Sequence, residues 1–272
     1  MLKMMLRFDP LQIFRYSSTP AGLYARQHWL SEGQTIQWRH DFDQTVMMLY
    51  KGQSATGCWN NSLIDTIRYL FYLHLTVREQ NEVVKVGLDW LLNATLNSPN
   101  ELSGYQRAKL SISELHGLPF TTGHSGFFLK AASIFLATVF GRDNDERVLA
   151  AFDTFDREGI QTEGRWRGWS SLTNILRAFA VHPKYTTSET VELAINALAI
   201  AQNPEGNWIP GIPFFKTLNM LAHLNMPQAY RQFELALRKL IMTQSPDGSW
   251  GKAEPEWSTF LVVHALKRKG IL

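Results

Sequence analysis

Apolar residues recur at intervals of three and four through residues 148–155 (VLAAFDTF), 191–201 (VELAINALAIA) and 233–243 (FELALRKLIMT), with no Gly or Pro inside any of them. That period places the apolar side chains along one face of an α-helix, and it predicts three amphipathic helices. A second set of runs, clearest at 127–140 and 259–266, is more uniformly apolar. A helix that is apolar all round must be covered on more than one side, so these runs predict an inner layer and the amphipathic runs an outer one. Threonines mark the predicted starts of the inner helices: Thr66 and Thr173 lie seven residues after a tryptophan, Thr217 and Thr259 nine after. Pro213 and Pro255 sit where a first-turn proline is tolerated, since its missing N–H would be unpaired anyway. Residues 186–189 (TTSE) have the spacing of a capping box for the helix at 191–201.

The polar segments between these helices repeat. Gln-x3-Gly-x-Trp occurs at 53–59 (QSATGCW), 202–208 (QNPEGNW) and 244–250 (QSPDGSW), with a copy one residue shorter at 161–166 (QTEGRW). Trp166, Trp208 and Trp250 are spaced by 42 residues, whereas Trp59 to Trp166 leaves room for about one degenerate repeat around 123–128 (GHSGFF). Within two copies, 203–206 (NPEG) and 245–248 (SPDG) match a β-turn: Asn or Ser first, Pro to fix φ, Gly last. Each repeat is thus a helical hairpin with an apolar face that only a neighbouring hairpin can cover. The apolar inner helices favour closure. The expected architecture is all-α, an α/α toroid of about five to six hairpins over residues 31–272, with residues 1–30 packing on it as an N-terminal segment.

Composition narrows the setting. A chain of 272 residues with 45% hydrophobic residues can bury a large core. Its single cysteine, Cys58, cannot form an intramolecular disulfide framework, and the opening MLKMMLRFDP is broken by Asp9-Pro10 before a secretory apolar core forms. A cytoplasmic location is expected. No run approaches the roughly 18 apolar residues of a spanning helix, and peripheral membrane contact stays open. The net charge is only +3 with dispersed Lys and Arg, which argues against nucleic-acid binding. No Walker motif, glycine-rich phosphate loop or serine nucleophile elbow is present.

On these residues the chain resembles a known group. The Gln-x3-Gly-x-Trp copies are similar to the QW motifs of the squalene-hopene and oxidosqualene cyclases, and of the wider terpenoid cyclase and protein prenyltransferase α/α-toroid superfamily, over roughly residues 30–272. The layout looks most like the single-toroid bacterial prenyltransferase or squalene-cyclase repeat proteins. The resemblance implies a class II terpene cyclase-like protein that protonates an isoprenoid in an aromatic-lined central cavity. A non-catalytic toroid binding a lipid, an isoprenoid or a protein is the alternative, and a toroid hydrolase or lyase the third reading. No cofactor is implied. The zinc of the prenyltransferases is not expected either, because Cys58 lies inside a turn and the histidines, His264 among them, lack metal spacing.

The cyclase motif is Asp-x-Asp-Asp, whose middle aspartate is the acid. Asp41-Phe42-Asp43-Gln44 is similar to it, with Gln44 in place of the last aspartate, which makes Asp43 the candidate acid and Asp41 its neighbour. Two placements stay open: the mouth of an inner helix, or an outer helix capped by Asp41. Asp65 precedes Thr66 at an inner-helix start, and with Lys130 and Lys216 at comparable positions it could converge on a polar group or be an ordinary first-turn acid. His124 lies in the loop before an apolar helix, as an acid or base or as a structural turn residue. Phe128, Trp169, Phe214, Phe215 and Trp257, with Lys130 and Lys216, are the candidate substrate-binding residues; the aromatics would wall the cavity or simply pack. Paired carboxylates, which a toroid hydrolase would need at about 5–9.5 Å, are scarce at these positions.

Overall fold

The computed structural model describes residues 6–97, 111, 113–123 and 125–272. Among them are eleven α-helices and no strand: α1 Pro20–His28, α2 Ile36–Lys51, α3 Leu63–Thr76, α4 Glu82–Leu92, α5 Ser125–Val139, α6 Glu146–Gln161, α7 Trp169–Phe179, α8 Glu189–Ile200, α9 Phe214–Leu221, α10 Pro227–Thr243 and α11 Pro255–Arg268. The odd-numbered helices form the inner wall. Each packs on the next, and α11 returns to α1, so the ring closes. The even-numbered helices lie outside it. The sequence pattern sets this division. Every residue of α7 from Ser171 to Phe179 is buried, whereas α2, longer by five residues, buries only Trp38 and Leu49. Because α1 is part of the inner wall, the ring begins at Pro20, ahead of the expected boundary at residue 31.

The repeated turn works as a clamp. Gly57, Gly206 and Gly248 each donate their N–H to the carbonyl three residues earlier, as the β-turn reading requires. All three have positive φ, and a Cβ there would fall 2.5, 2.2 and 2.1 Å from the carbonyl oxygens of Val86, Leu235 and Asp9 respectively. The turn therefore presses against the backbone of the next outer element, at a place where only glycine fits. The glutamine fastens it. Gln53 Nε2 donates to Gly57 O at 3.0 Å and to Val83 O at 2.8 Å, and Gln202 Nε2 repeats this with Gly206 O and Gln232 O. Gln244 bonds to Gly248 O at 3.0 Å and then reaches the other end of the chain: it donates to Phe8 O at 2.9 Å and accepts from Arg7 and Phe8 N–H. The last copy of the repeat is thus tied to the N-terminal segment. The tryptophans lie beneath, with the Nε1 of Trp59 and Trp250 donating to Leu49 O and Leu240 O, ten residues back.

Several local expectations shift. The N-cap position of α8 is Ser188, whose side chain makes no capping hydrogen bond, so the expected Thr186–Glu189 box is not formed. Pro255 is the first residue of α11, but Pro213 is the N-cap of α9. The marker threonines sit four or five residues into their helices; the hydroxyls of Thr66 and Thr259 accept the backbone N–H of Trp59 and Trp250. Finally, α2 is an outer helix capped by Thr35, so Asp41 lies well inside it and caps nothing.

Candidate functional site

The inner helices enclose a chamber of about 380 Å³. Its lining comes from Tyr24 of α1 and otherwise largely from the C-terminal halves of the inner helices: Phe71 and His74 of α3, Phe135 of α5, Arg177 of α7, Asn219 of α9, Phe260 and His264 of α11. Trp257 completes the aromatic part, stacked on Phe260 with centroids 5.3 Å apart and edge-on to Phe71. These aromatics give the chamber an apolar wall. Polar groups are set among them. Arg177 donates to Asn219 Oδ1 at 3.0 Å and to Lys216 O; Asn219 in turn donates to Leu261 O and lies 3.3 Å from His264 Nδ1. His264 stacks on His223 at 5.5 Å, and Nδ1 of His74 is buried without a hydrogen-bond partner. Burial pushes His74 and His264 down to about 4 and His223 well below the usual imidazole value, so all three are neutral at pH 7. Burial likewise lowers Arg177 to about 9, which still leaves it charged. Arg78 and Arg268, both exposed, stand at the rim. No Asp or Glu is among the described residues lining the chamber.

The opposite mouth, at the inner-helix N-termini, is strapped shut by residues 114–121. Arg68 donates to Glu114 O, Glu254 accepts the N–H of Gly117 at 2.9 Å, and Trp257 Nε1 donates to Leu118 O at 3.3 Å. Lys216 Nζ donates to Phe120 O, and Asn174 exchanges two hydrogen bonds with the backbone of Thr121. Leu118 and Phe120 are fully buried. Four inner helices or their caps therefore hold one strap, which leaves only a shallow pocket of about 370 Å³ outside it, lined by Phe214, Phe215, Lys216, Glu254 and Trp257.

The sequence candidates fall in different places. Phe214, Phe215, Lys216 and Trp257 do come together at this outer pocket, and Trp257 also lines the chamber. Lys216 is spent on the strap, and burial lowers it to about 8. Phe128 is fully buried, edge-on to Phe120 of the strap. Trp169 begins α7 beneath the guanidinium of Arg165. Lys130 faces a separate groove along α5 and α6. The expected convergence of Asp65, Lys130 and Lys216 is not formed: Asp65 pairs with Arg68 of its own helix and accepts from Asn60. Asp41 accepts from Arg26 at 2.7 Å and from Gln37 at 2.8 Å, and the bond from Arg26 leads in holding it below the usual carboxylate range. It is kept ionised. Asp43 is exposed on the outer helix α2. His124 lies outside the described residues.

The residues missed from sequence are Arg177, Asn219, His223 and His74. One signal did mark the first two: Arg177, Asn219 and Leu261 are spaced by 42, the spacing of the tryptophans, so two polar residues occupy one register of otherwise apolar inner helices.

An all-α closed toroid with this layout is a terpene cyclase-like fold. Among solved structures the chain is similar to a protein from Actinoplanes (TM-score 0.59, 16% identity, covering 94% of this chain and 90% of that one). It is also similar to the type II terpene cyclase MstE from Scytonema (TM-score 0.58, 15% identity, covering 94% and 88%). A variant of that enzyme bound to its product, merosterolic acid A, gives a TM-score of 0.60 at 15% identity, covering 94% and 87%; another is bound to its substrate, geranylgeranyl dihydroxybenzoate. No protein-family model and no curated protein matches the sequence.

Proposed function

We propose that this protein is a ligand-binding toroid whose central chamber holds an isoprenoid or comparable lipid chain against Tyr24, Phe71, Phe135, Trp257 and Phe260. The observation that carries the reading is this aromatic-walled chamber within a closed ring of inner helices. Its volume falls within the range of small-molecule sites. The terpene cyclase MstE, of similar fold, has an isoprenoid substrate.

Cyclisation by protonation is the second reading, favoured by that same similarity. The chamber's chemistry weighs against it. An alkene needs a strong, protonated acid in contact with it, whereas Asp41 is held ionised by Arg26, Asp43 faces solvent and Asp65 is paired with Arg68. A carbocation near Arg177 would also be repelled, by on the order of 3 kcal/mol for unit charges about 6 Å apart at an effective dielectric near 20.

Titration with geranylgeraniol, followed by tryptophan fluorescence, tests the binding reading. Saturable quenching is expected in the native protein, weakened at least tenfold in Phe260→Ala. Incubation with geranylgeranyl diphosphate and squalene, with extraction and mass spectrometry, tests the second reading. A cyclic product lost in Asp43→Asn would reverse the order of the two.

A further inference from the structure

The chamber combines an apolar wall with one buried cation, Arg177, and three neutral histidines. Its apolar wall is accounted for by a lipid chain; the guanidinium of Arg177, the unpartnered Nδ1 of His74 and the stacked pair His223 and His264 are not. Arg177 has no carboxylate partner among the described residues, and its two described hydrogen bonds go to neutral acceptors, the Asn219 side chain and the Lys216 carbonyl. A buried charge ordinarily requires a counter-charge. The C-terminal ends of the inner helices supply part of one, since each helix terminus carries about half a negative charge that favours nearby cations. That dipole fades within the last turn. Arg177 lies in the last turn of α7, so the dipole offsets part of its charge, but its guanidinium is turned onto the first turn of the neighbouring helix α9, whose dipole has the opposite sign.

Resting on the binding reading above, we propose that the polar groups of the chamber, Arg177, Asn219, His264, His223 and His74, form an oxyanion site, and that the ligand is an amphiphile with one carboxylate or phosphate head group. The head enters past Arg78 and Arg268 and pairs with Arg177, while the tail lies along Phe71, Trp257 and Phe260. Asn219 is a positioning residue: it holds both the guanidinium and the His264 ring. The neutral histidines supply hydrogen-bond donors at pH 7, and they become further cationic partners when a bound anion favours their protonation.

The test is a head-group series of equal chain length, decanoate, decyl phosphate and decanol, titrated calorimetrically into the full chain at pH 7 and in 50 and 300 mM salt. Decanoate or decyl phosphate is expected to bind at least tenfold tighter than decanol, and the better of the two identifies the head group. Arg177→Met is expected to erase that preference, bringing the two anions to the affinity of decanol. Because Arg177→Met removes a buried, hydrogen-bonded group, the exposed rim variant Arg78→Gln/Arg268→Gln serves alongside it; its anion affinity should fall at least threefold and lose most of its salt dependence. Equal affinity for all three amphiphiles overturns the oxyanion site and leaves the lipid-binding reading standing. Absence of binding by any of the three overturns both.

Discussion

Acidification from pH 7 toward 4 is expected to destabilise this protein through the histidines of its chamber. His74 and His264 titrate near 6.5 in an unfolded chain and at about 4 in the fold, with burial as the main cause. Between those values the unfolded chain binds more protons than the folded one, so stability is fully present above pH 6.5 and falls as the pH drops through this window. Each of the two costs about 2 kcal/mol at pH 5 and about 3 kcal/mol once the pH is below both values. Their neighbours reinforce the direction. His74 is faced by Arg78 and His264; His264 is faced by Arg268 on its own helix, by Arg177 and Arg78, by His223, and by the Tyr24 ring of α1. Paired carboxylates such as Asp145, held at about 2 chiefly by Arg147, lose their contribution only in more acid solution, so the two classes separate along the pH axis. Urea denaturation at pH 7, 6, 5 and 4.5, followed by circular dichroism, measures the slope. Replacing His74 by Phe removes a proton acceptor from a site already walled by Phe71, Phe135 and Phe140, and it should recover about 2 kcal/mol at pH 5 relative to pH 7. A flat profile between pH 7 and 5 in the native protein, or an unchanged slope in His74→Phe, would refute the assignment of neutral, partly buried histidines. Decanoate, if it occupies the oxyanion site, should make the profile shallower, because protonated histidines then gain a partner.

The other predictions concern the ring itself and the acidic residues. Gln244→Ala breaks four hydrogen bonds, three of which join the last turn to residues 7 and 8, and at about 1 kcal/mol each it should cost about 2–4 kcal/mol, more than Gln53→Ala with two; equal losses by urea titration would contradict its role in tying the N-terminal segment to the last repeat. Gly206→Ala places a Cβ 2.2 Å from Leu235 O at φ +85, so a loss of at least about 2 kcal/mol is expected, visible as a lowered denaturation midpoint at unchanged m-value. Asp41→Asn weakens the partner of the buried Arg26 and should destabilise by about 1–3 kcal/mol. Asp43→Asn, at an exposed position, should stay within about 0.5 kcal/mol of the native protein.

The architecture was legible because its signals are local. Gln-x3-Gly-x-Trp specifies a turn, a glycine-only approach and a buried ring within seven residues, and the tryptophans at 166, 208 and 250 recur at a spacing of 42, so stacked hairpins follow from counting. The site was less legible. Residues 114–121 carry no periodicity, and their role as a strap depends on bonds from Arg68, Asn174, Lys216, Glu254 and Trp257, distant in sequence. The aromatics conspicuous at the helix starts, Phe214, Phe215 and Trp257, belong to the strapped mouth, while the chamber lies toward the helix ends. Asp41 illustrates the other difficulty: a spacing similar to a catalytic motif became an ion pair because Arg26, 15 residues earlier, folds back onto it from the inner helix α1.

Position along the inner helices also bears on what the toroid can do. All of the strap's ties are made at the inner-helix N-termini, where helix dipoles favour negative charge and where an acid would be held ionised. The open end is the one where dipoles favour cations, and there the chain places Arg78, Arg177 and Arg268 around an aromatic wall. An aromatic wall alone suits either a carbocation or a resting lipid chain. The buried guanidinium separates the two, since the same charge that repels a carbocation attracts an oxyanion. Arg177 is held by Asn219, one repeat of 42 residues further on, and Asn219 is held by Leu261 O one repeat beyond that. The charge is thus held across three consecutive inner helices and cannot swing out of the chamber without breaking these hydrogen bonds. A buried guanidinium at the centre of the ring therefore supports the proposed binding of an anionic amphiphile over the protonation of an alkene.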